Sequence, residues 1–336
     1  MPAKFSRIHS VAHYFPAQTL DNEALAALFP EWPADKLLAK TGIRVRYICA
    51  EEETALDLGV EAARRLLAAQ DIDPHSVDAL LFCTELPDYT LPPNACLAQN
   101  LLHLRTDILA SDYSLGCSGY VYGLSLAHGL IASGQAQRVL LITAETYSKI
   151  MAPQDKSVRT LFGDAASATL VELSTQPGIG AFSWYSNGAG GRSLNVPQSG
   201  SARYKAENRT LPPDADSGRT AENLFMDGPG IFQFTLDIVP SLLAACLEKN
   251  AMTLDAVDAV LLHQANRFML DHLARKCRIP AGKMLLDMED GGNTVSNTIP
   301  VTLSRKLHRG ELRHGQKILL AGFGVGLSAA ATVVKL

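Results

Sequence analysis

Hydrophobic and polar positions along this chain switch between a helical and an extended period. From Leu56 to Gln70, Leu56, Val60, Ala63, Leu66 and Leu67 recur at helical spacing with charges between them, and Asp73-Pro74 ends the run. Ala79 to Cys83 then has the length and apolar density of a strand buried on both faces. The pattern continues with a helix over 95–104, a weaker strand over 107–113, a helix after Cys117 and a strand over 139–143. Farther along it predicts a helix over 231–250, a strand over 259–263, helices over 268–277 and 298–307, and a strand over 318–321. This alternation predicts α/β layers with strands buried between helices.

Two apolar runs recur at one interval. VDALLFC, from Val77, nearly matches VDAVLLH, 180 residues later, and RVLLITAET, from Arg138, resembles KILLAGFGV, 179 residues later. The coincidence predicts two halves of similar architecture, 1–172 and 173–336. The segment from Tyr185 to Glu222 breaks the pattern. It is rich in Gly, Ser, Asn, Asp and Pro and reads equally as a solvated excursion or as a loop over a site.

Composition narrows the classes. With 336 residues, 47% hydrophobic and 19% charged, the chain is a folded protein, and a net charge of −4 gives no reason to expect nucleic acid as a partner. The stretch MPAKFSRIHSVAHYFPAQ has no continuous apolar region, so no signal peptide is expected and a cytoplasmic location is. Cys117 to Gln137 is the one uncharged candidate for a membrane span. Gly119, Gly123, Gly129, Gly134 and His128 interrupt it, which favours a helix buried inside the protein over a membrane segment. The six cysteines form no CxxC pair and no zinc-like spacing, so no metal site is expected.

In open α/β sheets, reacting groups collect beyond the carboxyl ends of strands. Cys117 follows a strand and precedes the uncharged helix. There the helix dipole and unpaired N–H groups favour a thiolate, and Gly116 and Gly119 permit a sharp turn. A buried structural cysteine is the competing reading. His263 ends a strand; a lone histidine there is more often a structural hydrogen-bonding residue than a catalyst. Asn293 follows Gly291 and Gly292 before the second-half counterpart of the Cys117 helix, where it is either a turn residue or an amide donor. AGFGVGLS, from Ala321, lacks a following βαβ unit and so predicts a tight turn presenting backbone N–H groups rather than a dinucleotide loop.

Together, TGIRVRYI from Thr41, GCSGYVYGLSLA around Cys117, LFGDAASA from Leu161, HQAN from His263 and GGNTVSNTIP around Asn293 resemble the β-ketoacyl-acyl carrier protein synthase III family of the thiolase-like superfamily. The resemblance spans almost the whole chain. It implies a five-layered α/β/α/β/α fold from two duplicated halves, a homodimer, and a Cys-His-Asn site of Cys117, His263 and Asn293. It implies acyl-CoA and malonyl-acyl carrier protein as substrates, with no tightly bound cofactor. The backbone N–H groups of Cys117 and Val325 would hold the oxyanion, and a neutral His263 would donate through Nε2–H. Lys40 and Lys156 stand where well-known members use arginine near CoA, while Asn266 and Arg267 are further substrate-binding candidates. Trp32 lies nine residues before Thr41, farther than the usual adenine-stacking tryptophan, and Phe268 takes the place of the arginine that meets the carrier protein. Leu91 replaces a phenylalanine that reaches the partner subunit's acyl pocket, which would admit a longer, branched or aryl acyl group.

Other readings draw on the same residues. A family-related enzyme would pass the acyl group to a hydroxyl or amine, or join two acyl chains without a malonyl carrier. A non-catalytic partner subunit would usually lose the nucleophile, which is present here. A cysteine hydrolase would need water at a site whose surroundings carry no charge.

Overall fold

The computed structural model describes residues 4–209, 214 and 216–336. In chain order its strands are β1 (Phe5–Tyr14), β2 (Gln18–Asp21), β3 (Val45–Ile48), β4 (Ala79–Cys83), β5 (Leu109–Tyr113), β6 (Arg138–Glu145) and β7 (Ala165–Ser174). They continue as β8 (Ile179–Ser186), β9 (Leu194–Asn195), β10 (Phe225–Met226), β11 (Ala259–Leu262), β12 (Asp290–Gly291), β13 (Lys317–Gly324) and β14 (Ser328–Lys335). The helices are α1 (Asn22–Leu28), α2 (Ala34–Thr41), α3 (Ala55–Ala69), α4 (Asn94–Leu101) and α5 (Gly119–Ala132). After them come α6 (Lys156–Arg159), α7 (Ala206–Arg209), α8 (Gly228–Lys249), α9 (Arg267–Lys276) and α10 (Thr298–His308).

The first sheet has the order β1-β7-β6-β4-β5 and the second β11-β13-β14-β8. Helices α3 and α4 cover the outer face of the first sheet, where Leu66, Phe82, Ile142 and Leu170 share one apolar cluster. Helix α8 covers the outer face of the second sheet through Val239, Leu243 and Cys246. Between the sheets lie α5 and α10, whose Tyr120, Leu124, Ile299 and Leu303 join side chains from both sheets. The fold is thus the five-layered α/β/α/β/α sandwich. Each large apolar side chain buried in these clusters stabilises the fold by roughly 1.5–3 kcal/mol.

The sequence repeat is a repeat of pairing. Ala79 of β4 lies beside Val139 of β6, and Ala259 of β11 beside Ile318 of β13, both in parallel register. The aspartates of the two VD pairs share a job. Asp78 Oδ2 accepts from the N–H groups of Gln137 (2.8 Å) and Arg138 (3.1 Å), and Asp258 Oδ2 from that of Lys317 (2.7 Å). Each carboxylate thus pins the start of the neighbouring strand to its own. Strand β7 ends at Ser174 in the first sheet and β8 begins at Ile179 in the second.

The uncharged run 117–137 forms the 14-residue helix α5, whereas α8 is the one helix among the described residues long and apolar enough to cross a membrane. The charge criterion passed over it because it contains Asp237. It packs as the outer helix of the second sheet. Within the 185–222 excursion, residues 210–213 and 215 lie outside the described residues. Tyr185 and Ser186 belong to β8, and Leu194 turns inward to the site described next.

Candidate active site

Cys117 lies in the turn leading into α5, closed by the Gly119 N–H on the Gly116 carbonyl at 2.7 Å. Ser118, the residue before the helix, turns its hydroxyl to Ser328 Oγ at 2.8 Å instead of capping the helix. Strand β13 presses against this turn. A Cβ added at Gly322 would fall 2.7 Å from the Cys117 carbonyl oxygen, and one at Gly324 2.8 Å from Cys117 Sγ. The glycines of AGFGVGLS thus bring backbone up to the nucleophile. The N–H groups of Val325 and of Cys117 itself contact Cys117 Sγ.

The HQAN run divides its labour. His263 N–H continues the β11–β13 ladder to the Ala321 carbonyl (2.8 Å), which aims the imidazole beyond the strand end. Gln264 locks the next turn, donating to the Leu262 carbonyl (2.7 Å) and accepting from Asp287 N–H (3.0 Å). Asn266 caps α9 by accepting from Met269 N–H at 2.8 Å. His263 Nδ1 lies 2.7 Å from Thr298 Oγ1, and the ring meets Phe323 edge-on at 5.6 Å.

Asn293 is held by the first half. Its N–H donates to the Leu161 carbonyl (2.9 Å) and its carbonyl accepts from Gly163 N–H (3.1 Å). That bridge is the use of LFGDAASA. Asp164 of the same run accepts from Cys49 N–H (2.8 Å) and Ser148 N–H (2.9 Å), tying the bridge to the loop after β6.

Cys117, His263 and Asn293, remote in sequence, line one cavity of about 140 Å3 with Phe162, Leu194 and Phe323. Leu161, Met226, Gly228, Asn266 and Met269 line both this cavity and a larger cleft of about 730 Å3, so the two adjoin. Trp32, Lys40, Lys156 and Phe268 line the cleft. Lys40 Nζ sits over the Trp32 ring at 4.1 Å, and Lys156 Nζ pairs with Glu31 Oε1 at 2.8 Å. Despite its nine-residue offset from Thr41, Trp32 therefore shares the cleft with both lysines. Arg267 is paired with Asp271 at 2.8 Å and opens on an adjacent surface groove. Leu91 is 79% exposed and lies away from the cavity of its own chain.

Electrostatics correct one expectation. Burial raises the Cys117 pKa, and the Glu85 carboxyl raises it further, against the opposing N–H contacts. Desolvation outweighs the helix start, so the site rests as a thiol. Burial lowers His263 to about 3, and the Val295 carbonyl beside it does not reverse this; the imidazole is neutral, as expected. Sequence reasoning missed Glu85. It is half-buried, accepts from Tyr147 Oη and gives its own N–H to Glu145 Oε2 at 3.2 Å. Ser296 Oγ donates to Glu145 Oε1 at 2.8 Å. Burial raises both carboxyls, Glu85 to about 7 and Glu145 well above the ordinary carboxylate range, the latter also through repulsion by Glu85. The signal was available, since Glu85 lies just past the end of β4, where reacting groups collect.

Among the described residues no cluster of His, Cys, Asp or Glu is arranged to hold a metal ion. A cavity with a buried thiol, a neutral imidazole and an amide is suited to acyl transfer through a thioester.

Known proteins resemble the chain along its length. The family model described as 3-Oxoacyl-[acyl-carrier-protein (ACP)] synthase III matches residues 111–188, and the model for its C terminal matches 247–336. The β-ketoacyl-[acyl-carrier-protein] synthase III of Streptococcus equi subsp. equi is 37% identical, with 99% of each chain covered. A crystal structure of a 3-oxoacyl-(acyl-carrier-protein) synthase III superimposes with TM-score 0.95 at 45% identity, covering 99% of this chain and 100% of the other. A 3-oxoacyl-(acyl-carrier protein) synthase of Burkholderia xenovorans gives 0.92 at 35% identity, covering 99% and 95%. Full-length likeness to these proteins, on the same five-layered fold, means that the chain belongs to the β-ketoacyl-[acyl-carrier-protein] synthase III family of condensing acyltransferases.

Proposed function

We propose that Cys117 takes an acyl group from acyl-CoA, and that the acyl-cysteine then condenses with malonyl-acyl carrier protein to give a 3-oxoacyl product. The observation that carries this reading is the convergence of Cys117, His263 and Asn293 on one cavity that adjoins the Trp32–Lys40–Lys156 cleft. As the thiol gives up its proton, the thiolate attacks the thioester carbonyl. The oxyanion settles on the N–H groups of Cys117 and Val325, and CoA leaves as its thiol. The malonyl thioester then loses carbon dioxide. Its enolate oxygen is held by His263 Nε2–H and the Asn293 amide, and its carbanion attacks the acyl-cysteine. Collapse of that adduct releases the Cys117 thiolate, which recovers a proton. The apolar walls supplied by Phe162, Leu194 and Phe323 keep water from hydrolysing the intermediate.

Lys40 and Lys156 meet the phosphates of CoA at the cleft, Trp32 offers its ring to the base, and Asn266 marks the neck between cleft and cavity. Arg267, on the groove beside the cleft, faces the carrier protein. Leu91 completes the acyl pocket across a homodimer, which accounts for its exposure in one chain. The enzyme works in the cytoplasm without a tightly bound cofactor.

Intact-mass measurement after exposure to a panel of acyl-CoAs tests the first half, with Cys117→Ala as control. Carbon dioxide release from malonyl-acyl carrier protein tests the second. Absence of any Cys117 adduct overturns the reading; an adduct without carbon dioxide release replaces it with transfer to a hydroxyl or amine, or with joining of two acyl chains without a malonyl carrier. Strict preference for acetyl-CoA over aryl and longer straight-chain thioesters removes the Leu91 part alone.

A further inference from the structure

The imidazole of His263 can serve the enolate only if its proton is on Nε2, and neutral histidine has two tautomers. We infer that Thr298 selects that tautomer by donating its hydroxyl proton to Nδ1, which makes Thr298 a positioning residue for decarboxylation. The inference rests on the donor role given above to His263.

The geometry is specific. Thr298 Oγ1 lies 2.7 Å from Nδ1, at the usual length of a strong hydrogen bond. The hydroxyl has one proton, and its alternative acceptor, the Val295 carbonyl, is 3.4 Å away, beyond the usual O–H···O range. The shorter contact therefore takes the proton, Nδ1 becomes the acceptor, and Nε2 carries the ring's hydrogen. His263 is 2% exposed and Thr298 3%, so solvent does not compete for either atom. Thr298 is itself fixed as the first residue of α10, its carbonyl accepting from Thr302 Oγ1 at 2.8 Å. The segment from Asn293 to Thr298 thus bears on both neutral donors. Asn293 precedes α10, and Thr298 begins it and reaches across to the strand-end histidine.

Thr298 Oγ1 is the hydrogen-bond partner of Nδ1; without its hydroxyl, and with the Val295 carbonyl beside the ring able only to accept, the ring proton is no longer held off Nδ1. With the proton on Nδ1, Nε2 would be a bare acceptor facing an enolate oxygen. Thr298→Val keeps shape and removes the donor; Thr298→Ser restores it.

The direct test is 15N NMR of histidine-labelled full-length protein, with His263→Gln to assign the signal. The expected wild-type spectrum shows Nε2 protonated and Nδ1 as the acceptor. Thr298→Val should lower kcat for malonyl-acyl carrier protein decarboxylation on the order of 100-fold, the cost of losing one oxyanion donor, with little change in KM. Cys117 acylation by acetyl-CoA should fall far less, and Thr298→Ser should recover decarboxylation to within a few-fold of wild type. A wild-type spectrum with the proton on Nδ1 overturns the inference, as does a Thr298→Val enzyme that decarboxylates normally. The wild-type spectrum needs no variant to fold. If the wild type releases no carbon dioxide at all, the proposed reaction fails while the tautomer is still read from the spectrum.

Discussion

Asn293 Oδ1 accepts the backbone N–H of Val295 at 3.0 Å, and Val295 holds a left-handed φ of +57° to give it. Such a conformation costs a β-branched residue about 1–3 kcal/mol, so the surrounding structure must over-determine it. The bond occupies the oxygen of the amide and leaves Nδ2–H for the cavity.

Asn293→Asp reverses that arrangement, since a carboxylate can still accept from Val295 but has no N–H to offer. We expect carbon dioxide release from malonyl-acyl carrier protein to fall by on the order of 100- to 1000-fold. Cys117 acylation should persist. Separate assays of the two half-reactions check this.

Glu85 should govern how Cys117 responds to pH. Its folded pKa, raised by burial to about 7, means that the carboxyl is neutral below that pH and negative above it. The negative form disfavours the Cys117 thiolate. Above pH 7, Glu85→Gln should therefore alkylate faster with iodoacetamide than wild type, on the order of tenfold at an effective dielectric constant near 20. Below pH 6 the two should agree. Equal rates across pH 6 to 9 would remove Glu85 from the control of the thiol.

His263 imposes an acid-side cost on stability. Its folded pKa, about 3, lies below the ordinary 6.5, so between these values the unfolded chain binds a proton that the folded one does not. Stability is unaffected above about pH 6.5 and falls as pH drops toward 3, by up to roughly 4 kcal/mol. His263→Gln should flatten this part of the curve of urea midpoint against pH, with the slope contributed by His13 remaining.

Lys156 is paired with Glu31 at the cleft, and both side chains are about half exposed. An exposed pair of this kind is worth about 0.2–1 kcal/mol. Glu31→Gln should free the lysine and lower KM for acyl-CoA up to about fivefold, with kcat unchanged, and the gain should shrink at high salt. Lys40→Ala should raise KM. Steady-state kinetics at two salt concentrations measure both.

Gly324 leaves the nucleophile room. A methyl group there would lie 2.7 Å from Cys117 Cβ and 2.8 Å from Sγ, and it stands on a strand that cannot easily shift. Gly324→Ala should slow Cys117 acylation by about 100-fold or more through misplacement of the sulfur, as read by the rate at which the mass adduct appears.

Local chemistry made much of this molecule legible in sequence. The apolar runs of β4, β6, β11 and β13, the 180-residue repeat and the helix over 55–69, with its Thr54–Asp57 capping box, follow from periodicity and caps within a few residues. The strand-end rule picked Cys117, His263 and Asn293, and the glycine-rich turn led to Val325. Other properties depend on atoms brought together from distant segments. The resting thiol is set by desolvation and by Glu85, which comes from another loop. The cavity exists because Asn293 is bridged to Leu161 and Gly163 across the two halves, and Trp32 joins Lys40 and Lys156 only where α2 and α6 line one cleft. Periodicity encodes which faces are buried, whereas proton positions, charge and cavity shape arise from long-range contacts that have no period, and only the folded chain decides them.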